Sequence, residues 1–207
     1  MTAIEINDED IEEAKRRIKN EGFQDRITLI KMDLTDMKFP DNTFHYIVNF
    51  IGWEDFTAVS GEEFINTAFS EMARVLKTNG ILAVTFIPIL LSKDEVSRKD
   101  EELLEYMYKS SKRPKYFHEK FFLQMFEKHG IKLLKRHVFE TSKSRLRPEN
   151  AKKYVKWFCN NYKGFYAPDV EMRTYDEILR KFGGFIEKHG IRERRSKFIF
   201  LMGKKSN

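Results

Sequence analysis

The chain has 207 residues, 41% hydrophobic and 34% charged, which suits one domain with a sizeable core and excludes a disordered polypeptide. No apolar run reaches the roughly 20 residues that a membrane helix needs, since the longest, Ile81–Leu91, is broken by Thr85 and Pro88. The net charge of +6 is uneven, with 17 Lys/Arg against 7 Asp/Glu in residues 141–207, a region able to attract an anionic substrate or simply to stay solvated.

Ala3–Ile6 reads as a short strand. Asn7 or Asp8 then caps a helix to Glu21, with Asp8, Glu9 and Asp10 in its first turn and Lys15, Arg16, Arg17 and Lys19 near its end, so both ends suit the helix dipole. Gly22 ends it, and Ile27–Met32 is the next strand. Phe39-Pro-Asp-Asn42 is a turn leading into a strand at Tyr46–Phe50. Ser60 and Glu63 have capping-box spacing and predict a helix from there to about Lys77, stopped by Thr78-Asn-Gly80. Ile81–Ile87 is nearly all apolar, as in a parallel strand covered on both faces.

The second half is more helical. Asp94–Lys109 and His118–His129 predict helices, and Ile131–Phe139 a strand. Arg147–Asn161 predicts a helix with Pro148 in its first turn. Thr174 and Glu177 form a second capping box, opening a helix to His189, and Lys197–Met202 is the last strand. Phe126-Glu-Lys-His-Gly-Ile131 and Ile186-Glu-Lys-His-Gly-Ile191 use one helix-ending device twice, which predicts that the strands after them pair. The expected organisation is a core over 1–140, a helical insert or substrate cover over 141–196, and a final core strand over 197–207. Cys159, the single cysteine, reads as a small buried hydrophobe and fits a reducing cytoplasm, and no signal peptide is evident in the first residues.

Strand alternating with helix predicts a doubly wound α/β sheet, in which ligands bind beyond the carboxyl ends of the strands. Glu5 stands at such an end, where a carboxylate can accept two hydrogen bonds from a ribose diol or serve as an N-terminal helix charge. Asp33 follows the next strand, placed to accept from an adenine amino group with Leu34 against the ring, or to cap a turn. Trp53 and Tyr116 are weaker candidates for a substrate wall, with core packing as the alternative for each. Tyr154, Trp157, Phe158, Tyr162, Phe165 and Tyr166 lie among lysines, where packing is favoured over a base-stacking surface. The scattered histidines predict no metal site.

Three stretches in order, Ala3-Ile-Glu-Ile-Asn7, Met32-Asp-Leu-Thr-Asp36 and Phe39-Pro-Asp-Asn-Thr-Phe44, resemble class I S-adenosylmethionine-dependent methyltransferases. So do the strand Tyr46–Asn49, the helix end Ala73-Arg-Val-Leu-Lys-Thr-Asn-Gly80 and the strand Ile81–Ile87. The resemblance implies a Rossmann-like, doubly wound, mostly parallel sheet with a C-terminal antiparallel strand pair and a helical insert. It implies S-adenosyl-L-methionine as cofactor, with Glu5 and its neighbour Ile6 at the ribose, Asp33 and Leu34 at the adenine, and Asn49 near the methionine moiety. Methyl transfer by in-line displacement follows, to an acceptor that is a small molecule or an anionic substrate; a nucleic acid is allowed but not favoured, and no membrane partner is implied.

The chain departs from that family at its start. The family's first strand and glycine-rich turn would precede Glu5, where only Met1–Ile4 stand, and no glycine occurs before Gly22. Loss of a central strand predicts unpaired strand edges in the core. The expectation is a start upstream of this sequence, the alternatives being a fragment completed by another polypeptide and a non-catalytic binding or scaffolding relative. A short-chain dehydrogenase is the rival enzyme class, since Tyr108 and Lys112 have its Tyr-x-x-x-Lys spacing, but Asn49-Phe-Ile-Gly52 departs from its Asn-Asn-Ala-Gly.

Overall fold

A computed structural model describes residues 1–50, 53–89, 94–109, 116–140, 145–161, 170–192 and 197–206, and in the helix over 53–75 the side chains of Trp53 and of residues 62–75. The elements in chain order are β1 (Thr2–Glu5), α1 (Asp8–Asn20), β2 (Thr28–Lys31), β3 (Phe44–Phe50), α2 (Trp53–Val75), β4 (Leu76–Phe86), α3 (Glu95–Tyr106), α4 (Glu119–Lys128), β5 (Ile131–Glu140), α5 (Pro148–Asn161), α6 (Tyr175–His189) and β6 (Lys197–Lys205).

Local chemistry sets several boundaries. Asn7 caps α1, its side-chain oxygen accepting from the Glu9 and Asp10 amides. Thr174 and Glu177 form the reciprocal capping box at the start of α6. Gly190 follows α6 at φ 66, a conformation that other residues adopt only under strain. The predicted start of α2 needs correction. The helix begins at Trp53, so Ser60 and Glu63 lie within it rather than at its mouth. Its far end is also shorter, because β4 begins at Leu76 and passes through Asn79 at φ 64, where the β3–β4 register slips between Phe44 and Tyr46.

The strands form two sheets. β1 and β2 pair in parallel as a two-stranded sheet, and the other four run in the order β3-β4-β6-β5. β3 and β4 are parallel, whereas β6 is antiparallel to both β4 and β5. The predicted pairing of the last two strands is therefore present. Among the described residues, the edge of β1 away from β2 and the edge of β3 away from β4 carry no strand partner.

One core lies between the four-stranded sheet and the helices α2 and α4. Leu82, Val84 and Phe86 of β4 and Ile199 and Leu201 of β6 meet Ile65, Phe69, Met72, Phe122 and Phe126 there. Ile4, Met32 and Leu34 pack on the same core, so both sheets line it. A second core joins α3, α5 and α6 through Leu103, Leu104, Ala151, Val155, Ile178, Phe182 and Ile186. The helical layer thus draws on α3, from the 1–140 segment, as well as on α5 and α6.

Candidate functional site

β1 and β2 run in register with Glu5 opposite Lys31, so Glu5 and Asp33, two residues beyond Lys31, leave adjacent strands at the same rim. Each carboxylate is half used. Glu5 Oε1 accepts from the amides of Ile6 at 2.7 Å and Asn7 at 2.9 Å. Asp33 Oδ1 accepts from the Thr35 amide and hydroxyl, both at 2.7 Å. Glu5 Oε2 and Asp33 Oδ2 have no hydrogen-bond partner among the described residues. Local turns therefore hold both side chains at the rim and leave one strong acceptor on each. Ile6 is 51% exposed beside Glu5, and Leu34 is half-buried beside Asp33.

Asn49 lies one residue from the carboxyl end of β3, in the other sheet. Its Oδ1 is buried and accepts no hydrogen bond among the described residues. An unmet buried polar atom costs roughly 1–3 kcal/mol. Glu5 and Asp33 thus stand at the carboxyl ends of β1 and β2 and Asn49 near that of β3, and among the described residues no strand pairing links the sheet of the two acids to that of the amide.

The weaker substrate candidates separate. Trp53 is 1% exposed, stacked on Phe69 with ring centroids 5.2 Å apart and set edge-on to Phe122, so its ring belongs to the first core. Its indole Nε1 is buried without an acceptor among the described residues. Tyr116 is half-buried and precedes Phe117, whose carbonyl accepts from the Ile89 amide just past β4. In the aromatic group of α5, Tyr154 and Phe158 pack on the second core while Trp157 is 52% exposed. Tyr162, Phe165 and Tyr166 lie outside the described residues, as does Lys112 of the Tyr-x-x-x-Lys spacing. Tyr108 is buried against Val170.

Sequence reasoning missed the group that ties the acid-bearing sheet to the rest. On α2, Arg74 donates to Glu71 through Nε and Nη2, both at 2.8 Å, and to the carbonyls of Met37 and Phe39 at 2.7 and 2.8 Å. Glu71 in turn accepts from the Met37 amide at 2.8 Å. The Arg74 guanidinium holds the Glu71 carboxyl below its usual range, the Met37 amide helping against partial burial. A Glu-x-x-Arg spacing on a helix was the visible signal, but its target lies 34 to 37 residues away.

Among known proteins, residues 1–84 match the family described as a methyltransferase domain. A demethylmenaquinone methyltransferase of Bacteroides fragilis is 34% identical over 70 residues, which make up 34% of this chain and 26% of that protein. The chain thus matches about a quarter of that curated relative's length, 26%. An S-adenosylmethionine-dependent methyltransferase of Methanosarcina mazei superposes with a TM-score of 0.58 at 13% identity, over 99% of this chain and 81% of that one. The cyclase SpnF superposes with a TM-score of 0.60 at 16% identity, over 99% of this chain and 65% of that one. The cyclase's name shows that this fold also carries other chemistry. The match over residues 1–84 is thus to a methyltransferase domain, and the chain as a whole has the Rossmann-like α/β fold of these solved structures.

Proposed function

We propose that the chain binds S-adenosylmethionine beyond the carboxyl ends of β1, β2 and β3 and transfers its methyl group to an acceptor nucleophile. The observation that carries this is the pair Glu5 and Asp33 on one rim, each pinned by one oxygen and free at the other. Glu5 accepts from the ribose hydroxyls beside Ile6, and Asp33 accepts from the adenine amino group while Leu34 packs on the ring. The unmatched Oδ1 of Asn49 receives a donor from the methionine moiety. S-adenosylmethionine supplies a methyl group on positive sulfur, already activated for in-line displacement. The protein's task is to align it with the acceptor, which needs neither a metal nor a nucleophilic triad.

Calorimetric titration of S-adenosylmethionine tests the assignment. Glu5→Ala and Asp33→Ala are each expected to weaken binding by about 1–3 kcal/mol, the cost of leaving polar groups unpaired. Unchanged affinity in both variants overturns it. The first acceptor to assay is demethylmenaquinone, after the name of the Bacteroides relative. The basic 141–207 region is proposed to draw an anionic acceptor, and acceptor binding that ignores ionic strength counts against that. We place the activity in the cytoplasm; among the described residues no helix is long and apolar enough to cross a membrane.

A second reading, a binding relative without cofactor, is favoured by the division of the sheet between the acids and Asn49. Titration in which the wild-type chain takes up no S-adenosylmethionine selects it.

A further inference from the structure

Tyr106 closes α3, and its half-buried ring gathers positive charge from α6 and from the segment before it. The Arg173 guanidinium carbon lies 4.2 Å and Lys181 Nζ 4.0 Å from the centroid of that one ring. Phe182 stands 5.4 Å from Tyr106, centroid to centroid, and carries Lys181 again at 5.3 Å and Lys99 of α3 at 5.4 Å. Backbone pairing fixes this arrangement. The Arg173 amide donates to the Met107 carbonyl at 2.8 Å and the Lys109 amide to the Glu171 carbonyl at 2.7 Å, so the segment before α6 runs along the end of α3. Thr174 then caps α6, and Lys181 and Phe182 follow within it.

The charge collected there is not matched. Lys99 is paired with Glu102 at 2.8 Å. Arg173 and Lys181 make no side-chain hydrogen bond or ion pair among the described residues, and the buried Nε of Arg173 has no acceptor there. Glu177 feels the charges of Lys109 and Arg173, but its Oε2 already accepts from the Thr174 amide and hydroxyl, and these bonds come first in holding its carboxyl below the usual range. A ring face attracts each cation, yet two cations on one ring repel each other, and the ring leaves the N–H edge of a guanidinium unused. A doubly charged anion with three oxygens meets both needs. It offsets the surplus charge, accepts from the planar Arg173 fork through two oxygens and receives the Lys181 ammonium as a point charge at a third. A carboxylate has two oxygens and one charge and matches this set less well.

We propose that Arg173 and Lys181, set on the Tyr106 ring, form a binding site for a phosphoryl group, carried by a small organic molecule or free as phosphate. Tyr106 holds the two cations in place, and Arg173 Nε gains its missing acceptor. The site does not depend on the methyltransferase reading, because none of Glu5, Asp33 and Asn49 lines it.

The test titrates the 207-residue chain with inorganic phosphate and with phenyl phosphate by calorimetry, at one ionic strength set with sodium chloride. Saturable binding of at least one probe is expected. Tighter binding of phenyl phosphate assigns the site to an organic phosphate, and tighter binding of inorganic phosphate assigns it to the free ion. Arg173→Gln and Lys181→Gln are each expected to weaken binding about tenfold or more, with the fold kept by circular dichroism. Lys181 is exposed, so Lys181→Gln still serves if Arg173→Gln disturbs the packing. Arg173→Lys keeps the charge and loses the fork, and is expected to bind more weakly than the wild type. Lys188→Gln, an exposed position in the last turn of the same α6, removes the same charge and should change affinity less than twofold. No saturation by either probe, affinity unchanged in both Arg173→Gln and Lys181→Gln, or an equal loss in Lys188→Gln would overturn the proposal, the last by showing attraction to net charge alone.

Discussion

Arg74 and Glu71, one helical turn apart on α2, together hold the segment after β2. Glu71 accepts from the Met37 amide while Arg74 donates to the Met37 carbonyl, so both backbone groups of one residue are met by one ion pair. A further Arg74 bond to Asp41, at 2.8 Å, reaches the turn before β3. The clamp ties the segment after β2 to α2, and among the described residues no strand pairing joins the two sheets.

Arg74→Met removes the fork and leaves the Met37 and Phe39 carbonyls to water or to nothing. We expect a loss of about 2 kcal/mol in urea unfolding. Arg74→Lys recovers less than half of that, because one ammonium cannot reproduce the planar fork. A Lys variant as stable as the wild type would show that charge alone suffices.

In the helical layer, Asp100 is 2% exposed and accepts both Nη1 and Nη2 of Arg145, with the Arg192 amide at 3.3 Å. Arg145 also donates to the carbonyl of His189 at 2.7 Å, fastening the end of α6 to α3. Asp100→Ala leaves a guanidinium partly buried without its partner and is expected to cost about 3–5 kcal/mol. The double variant Asp100→Leu with Arg145→Met should cost less than the single one. A double variant measured as worse would mean that the pair contributes net stability.

His129 stacks on Phe69, and its buried Nε2 has no partner among the described residues. Burial, and then the Lys128 charge, push its pKa below the ordinary 6.5. The unfolded chain therefore binds the proton first as pH falls. The associated stability is complete above pH 6.5 and declines below it, until the folded-state pKa is passed. His129→Phe keeps the stacking and removes the titration, so the slope of Tm against pH between roughly 6.5 and 5 should flatten. An unchanged slope would place the sensitivity elsewhere. The Glu71 carboxyl, shifted down, gives its full stability above its ordinary 4.5 and loses it only as pH falls below that value.

The Cys159 thiol is pushed up to about 11 by burial, from an ordinary 9.0. Its thiolate fraction at pH 8 is then about 100-fold below that of an exposed cysteine, and the rate of modification should fall in proportion. A thiol-reagent time course in native buffer, set against the urea-unfolded chain, measures this. Equal rates would show that α5 opens faster than the reagent reacts.

What the sequence determined by itself was local. The Asn7 cap, the Thr174–Glu177 box and the paired β5 and β6 were readable because each rests on residues a few positions apart or on helix ends that repeat the same device. The order of strands also placed Glu5 and Asp33 on one rim, since successive parallel strands end on the same side. Tertiary structure decided the rest. It started α2 at Trp53, ahead of the Ser60 box, because burying Trp53 between Phe69 and Phe122 outweighs a local capping preference. It set the Arg74 clamp on a loop more than 30 residues away, and it left Tyr46, Val48 and Phe50 bare on an open edge. Alternation along β3 shows that a face exists, but only the packing of the other elements determines whether that face is covered.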